Sequence, residues 1–172
     1  MKARLCVVVL TFAVGIAVSN ASAQQSPPPQ AGTRETTCTF QDGQQITIQY
    51  PKVKYSSKNE PEEGRPWMPG GKPVYLFSQA TLTLSGNTVT PGAYSVYMVP
   101  GKKDWTIIVN KDVTKGAAYD QTQDLGKVRA DVAKLPDTAK RLKLYFGHVA
   151  PKTCNLRIDF GNQRAYGDFT EQ

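Results

Sequence analysis

Histidine and cysteine are scarce in this chain of 172 residues, which has one His, His148, and three Cys, at positions 6, 38 and 154. Zinc and iron centres generally draw on several His or Cys ligands, so the chain is poorly supplied for either. No Gly-rich phosphate loop and no Gly-x-Ser-x-Gly elbow occurs, which removes the usual cradle for a nucleotide and the usual mount for a serine nucleophile. The composition implies no cofactor. Apolar runs long enough to span a membrane are absent, because the longest, Leu5 to Val18, falls short of the roughly 20 residues a spanning helix needs. Acid is the minority charge: 21 Lys and Arg stand against 14 Asp and Glu, a net +7. With 40% hydrophobic and 20% charged residues, the chain is neither a disordered polymer nor a coiled coil, and one globular domain is expected.

The N-terminus reads as an address. Lys2 and Arg4 precede the apolar run, and Ala21-Ser22-Ala23 places small residues ahead of Gln24, the pattern of a secretory signal peptide over residues 1–23. A lipoprotein would need Cys directly after the cut, where Gln24 stands. Cleavage takes away two basic residues and no acidic ones, so the remainder stays basic. Such a charge suits loose attraction to anionic envelope polymers, whereas an exported chain without a concentrated basic stripe is a poor partner for nucleic acid. Cleavage also removes Cys6. The pair that remains, Cys38 and Cys154, is expected to form a disulfide in an oxidising compartment. Residues 24–34, with Pro27-Pro28-Pro29 among polar neighbours, have little to bury and read as an extended leader. The domain is expected over residues 35–172.

Within it, apolar residues alternate in short runs: Ile46 and Ile48; Leu82 and Leu84; Val128, Ala130 and Val132; Leu142, Leu144 and Phe146; Cys154, Leu156, Ile158 and Phe160. Period two puts each set on one face of a strand. Val74 to Phe77, Tyr94 to Val99 and Trp105 to Val109 are more continuously apolar, as expected of central strands. Turn signals fall between runs at Asp42-Gly43, Ser85-Gly86-Asn87, Pro91-Gly92, Pro100-Gly101 and Gly161-Asn162. The best helix candidate, Pro136 to Leu142, runs straight into a strand. These patterns predict an all-β antiparallel sandwich or jelly roll of about eight to ten strands with little helix. A lipocalin-type barrel is the alternative.

Tyr50, Gly64-Arg65, Pro69-Gly70-Gly71-Lys72, Pro91-Gly92-Ala93-Tyr94-Ser95, Pro100, Trp105-Thr106-Ile107-Ile108-Val109-Asn110, Tyr119 and Asp124 together carry a resemblance to the bacterial exported family of unknown function DUF2911. The block from Pro91 to Asn110 is its most specific part. The resemblance implies a secreted or periplasmic β-sandwich and no established activity. This chain departs from the family where a Trp-Arg and a Gly-Ala-Asn-Glu-Ala-Thr stretch usually follow the Pro-x-Gly-Lys turn. Here Pro73 to Thr81 lacks that Arg, Asn and Glu.

Candidate chemistry is thin. His148 sits at a strand end without a presented nucleophile, as a surface residue would. Asp120 and Asp124 share a polar loop whose spacing matches no calcium loop. A glycosidase pair could be written from Asp104 or Asp120 with Glu62, but sequence fixes no distance between them. The richest constellation is Gly64 to Lys72, in which Pro stiffens the loop and Trp67 offers an apolar face between the donors Arg65 and Lys72. The competing role for Trp67 is a lid folded over the sandwich end. Trp105 reads as structural, and Tyr94 and Tyr97 fall on opposite faces of their strand. The leading expectation is a non-catalytic module binding a small or polymeric envelope ligand, or a protein partner, through Arg65, Trp67 and Lys72. A hydrolase using acidic residues in a cleft and a purely structural envelope factor are the alternatives.

Overall fold

The structure is a computed structural model that describes residues 31–116 and 118–172, so the expected signal peptide and all but the last four residues of the leader lie outside the described residues. Nine strand runs form one antiparallel sheet: β1 (Thr33–Thr39), β2 (Gln45–Pro51), β3 (Val74–Ser78), β4 (Leu82–Leu84), β5 (Asn87–Val89), β6 (Gly92–Pro100), β7 (Asp104–Asn110), β8 (Asp124–Ala150) and β9 (Thr153–Glu171). Their order is β1-β2-β3-β6-β7-β8-β9-β4-β5. The fold is all-β, and the helical content among the described residues is three short 3-10 turns. β1 starts two residues ahead of the expected boundary at Glu35.

Period-two patterning places the core. Ile46, Ile48, Leu76, Leu82, Leu84, Ile107, Leu142, Leu144, Leu156 and Ile158 are fully buried in a single cluster, each on the inward face of its strand. The tight turns follow their residues. Ser85 (φ 47°) and Gly86 (φ 84°) join β4 to β5 as a two-residue loop with both φ positive, the twist that suits a hairpin. Tyr94 enters the core while Tyr97 faces the other side and packs edge-on against Tyr119 at 4.8 Å.

β8 and β9 are the elements that shape the molecule, because neither is straight. At about 3.3 Å per residue an extended run would separate Asn155 from Asp168 by roughly 40 Å, yet Asn155 Nδ2 donates to Asp168 Oδ1 at 2.7 Å. Arg164 meets Asp159 and the Glu171 N–H donates to the Lys152 carbonyl at 2.8 Å in the same register. β9 therefore folds back at Gly161-Asn162, where the turn signal falls. β8 passes around that tip, pairing Lys134 with Gln163 and, after a register shift, Ala139 with Gly161. Its limbs flank the hairpin, giving the spatial order 124–134, 163–171, 153–161, 139–150, a Greek key. Pro136 to Leu142, the best helix candidate in a chain expected to hold little helix, is extended chain within β8. Pairing with the folded-back β9 overrides a weak local preference, and the register shifts accommodate Pro136.

The sheet then curls until its ends meet. Beyond β2, Lys54 bridges to Arg141, with the Tyr55 N–H donating to Lys140 O at 3.0 Å and the Leu142 N–H to Val53 O at 2.9 Å. Two layers enclose one core. The Cys38–Cys154 disulfide is formed, with Cα atoms 6.3 Å apart, and ties β1 to β9.

Candidate functional site

The chain between β2 and β3 crosses one end of this sandwich. Trp67 is its anchor: its N–H donates to Met98 O at 2.7 Å and its carbonyl accepts from the Met98 N–H at 3.3 Å, so the loop is laced to β6. The half-buried indole lies edge-on to Trp105 at 6.1 Å and tilted against Phe160 at 5.1 Å, and Phe160 meets Tyr55 edge-on at 5.3 Å. Four aromatic rings thus close the end of the core. Such edge-to-face contacts hold the rings in place beyond the area they bury.

Two clefts border the loop, and Glu60 lines both. One, of about 320 Å³, lies between Tyr55, Glu60, Glu63, Lys102, Trp105 and Asn162. The other, of about 330 Å³, lies between Asn59, Glu62, Arg65, Trp67 and Gly70. Tyr55 donates its hydroxyl to Glu60, and that donation is the main reason its own pKa is raised. Of the three residues expected to bind ligand, Arg65 and Trp67 line the same cleft, with Arg65 exposed and paired with Glu62 at 3.0 Å. Lys72 is exposed after the Pro69–Gly71 turn and lines neither cleft.

Tyr55, Glu60, Lys102 and Asn162 line the first cleft without a local sequence signal that marks them as site residues. Lys102 and Asn162 lie in or beside turns that are legible as Pro100-Gly101 and Gly161-Asn162, but their convergence with residues 55–63 depends on the Greek key.

The other acidic residues singled out are occupied. Asp104 pairs with Arg129 at 3.0 Å, and neither Asp104 nor Asp120 lines the cleft that holds Glu62. Asp120 accepts from the Thr122 N–H and hydroxyl at 2.9 and 2.7 Å. Asp124 accepts from Asn110 Nδ2 at 2.9 Å and the Tyr119 hydroxyl at 2.7 Å. Burial first, then donation to Asp124, pushes the Tyr119 pKa far upward. This set clamps the loop between β7 and β8. No cluster of three or more metal-type side chains occurs among the described residues. His148 is exposed near the end of β8, opposite Cys154. The stretch that departs from the family pattern forms β3, with Val74, Leu76 and Ser78 buried and Tyr75 and Phe77 half-buried.

No curated protein and no solved structure matches the chain. The sequence model described as "Protein of unknown function (DUF2911)" matches residues 32–167. The match runs from the residue before β1 to Gly167 in the returning limb of β9, and the chain belongs to that family.

Proposed function

We propose that the protein is a non-catalytic binding module of the bacterial envelope that takes a polar, ring-bearing ligand such as a sugar unit at the loop-covered end of the sandwich. The observation that carries this reading is the aromatic cluster shared by the two clefts: Trp67 lines one, and the Trp105 and Phe160 rings it packs against line the other. An aromatic face ringed by carboxylate, guanidinium, ammonium and amide groups suits sugars, which present both C–H faces and hydroxyls. The disulfide fits an exported protein. No helix among the described residues is long and apolar enough to cross a membrane.

The test is tryptophan fluorescence during titration with a panel of neutral and acidic oligosaccharides. Saturable change is expected in the parent and loss of it in Arg65→Ala and in Asn162→Ala, which remove rim donors without touching the core. Trp67→Ala is expected to lose binding and also about 2–3 kcal/mol of stability, since the ring is half-buried. Full-strength binding by the Arg65→Ala, Asn162→Ala double variant would defeat the assignment.

Glu60 and Glu63 line one cleft, and this favours a second reading, a glycoside hydrolase. That reading predicts turnover of aryl glycosides abolished by Glu60→Gln and by Glu63→Gln. Absence of turnover in the parent removes it.

A further inference from the structure

A cluster of cations on the outer face of the β8–β9 Greek key has no part in the loop-end site. Lys143 stands opposite Asp159 and Tyr145 opposite Arg157. Lys143 Nζ lies 5.3 Å from the centroid of the Tyr145 ring, Arg164 Cζ 5.6 Å and Arg157 Cζ 5.9 Å. Ring attraction helps hold cations there without neutralising them. Asp159, buried, pairs with one of the three, accepting from Arg164 Nε at 2.6 Å and Nη2 at 2.8 Å. Neither Lys143 nor Arg157 forms an ion pair among the described residues.

The donors are set in advance. Arg157 Nε donates to Asn155 Oδ1 at 3.2 Å, and Asn155 is held by Asp168. The guanidinium lies over Gly147, where an added Cβ would come within 3.3 Å of Nη2. Arg164 gives two of its five N–H groups to Asp159. All of these residues sit on paired strands, which place a site more firmly than loops do.

We propose that Lys143, Arg157 and Arg164, gathered around Tyr145, bind a phosphate monoester. Three cations less Asp159 leave +2 around the ring, and Asp168, one bridging amide beyond Arg157, reduces this to +1, a positive site for a monoester of about −1.5 to −2. A tetrahedral oxyanion accepts from several directions, guanidinium forks fit its edges and the ammonium supplies a point charge. Lys143 is exposed and the other members are half-buried, so the anion approaches from solvent. The same chemistry is offered by a soluble sugar or glycerol phosphate and by the headgroup of phosphatidic acid. The proposal does not depend on the loop-end reading.

The experiment has two arms on the full chain. In one, the Gly147 amide and the arginine Nε–H resonances are followed by NMR during titration with glycerol 3-phosphate. In the other, the protein is sedimented with vesicles containing phosphatidic acid or phosphatidylcholine alone. Saturable binding in the first arm alone identifies a soluble ligand, and binding in the second alone, specific to phosphatidic acid, identifies a lipid. In whichever arm binds, Lys143→Gln with Arg157→Gln is expected to weaken it at least about tenfold, as loss of charged hydrogen bonds does. Lys111→Gln with Lys115→Gln, which removes the same charge elsewhere, leaves binding unchanged. Absence of saturable binding in both arms, or equal loss in the two double variants with thermal unfolding unchanged, overturns the proposal.

Discussion

Glu171 carries a buried carboxylate oxygen, Oε1, that has no hydrogen-bond donor. Its residue is 8% exposed. Desolvation is the main force raising its pKa, the Asp42 carboxylate across the β1–β2 turn adds repulsion, and Lys152 opposes the shift. The folded protein therefore holds the Glu171 proton more tightly than the unfolded chain does. Linkage makes Glu171 a cost above its raised pKa, and the cost fades as pH falls through that value toward the ordinary glutamate range. Asp42 works in the opposite direction, since the Gln44 N–H and side chain lower its pKa and its contribution is lost on acidification. Glu171→Gln separates the two. The variant is expected to be more stable than the parent at neutral pH and to converge with it below about pH 4, in the carboxylate range. Urea unfolding at both pH values checks this, and an equal difference at both would show that the effect is not electrostatic.

The turn at Gly161 shows what an element takes from one residue. Its φ of 62° is left-handed, and a Cβ there would meet the Tyr55 ring at 2.5 Å. Gly43 also has a positive φ, 91°, but nothing lies within 4 Å of its added Cβ. Gly43→Ala isolates backbone strain, expected at about 1 kcal/mol. Gly161→Ala adds the clash and is expected to cost about 2–3 kcal/mol, read as a lower denaturant midpoint at unchanged slope. Equal losses at the two sites would show that Tyr55 yields freely. The same turn marks how far the sequence could be read. Alternation at Cys154, Leu156, Ile158 and Phe160 and the Gly-Asn pair specify two strand limbs and a turn, because both signals are local. That β8 passes round this tip is a matter of pairing between residues some twenty or more apart, so Pro136 to Leu142 reads as a possible helix. The candidate site divides in the same way. Arg65 and Trp67 stand out within one loop, but Glu60, Lys102 and Asn162 join them only when three separate turns meet at one end of the sandwich.

At the scale of the whole molecule, closure rests on few links. The sheet meets itself through the Lys54–Arg141 bridge, two backbone hydrogen bonds beside it, the Phe146 N–H to Thr36 Oγ1 bond at 3.2 Å and the Gln41 N–H to Pro151 O bond at 3.0 Å, and β1 pairs with β2 as its only neighbour in the strand order. The Cys38–Cys154 bond spans 116 residues and fastens that edge strand to the Greek key. A loop of this length restricts the unfolded chain by about 4–5 kcal/mol in the entropic account, a large share of the roughly 5–15 kcal/mol that stabilises a typical domain. The replacement Cys38→Ala, Cys154→Ala is expected to remove most of it and to lower the melting temperature by about 10–20 °C, at about 2–4 °C per kcal/mol for a domain near this size. If the bond acts on the unfolded chain, hydrogen exchange should quicken in the most protected amides of β6 and β7 as much as in β1, because all exchange through global unfolding. If it acts only as a local pin, β1 amides should exchange faster while β6 and β7 keep their protection, and the melting temperature should barely move. The second pattern would refute the entropic account and make β1 a detachable strand.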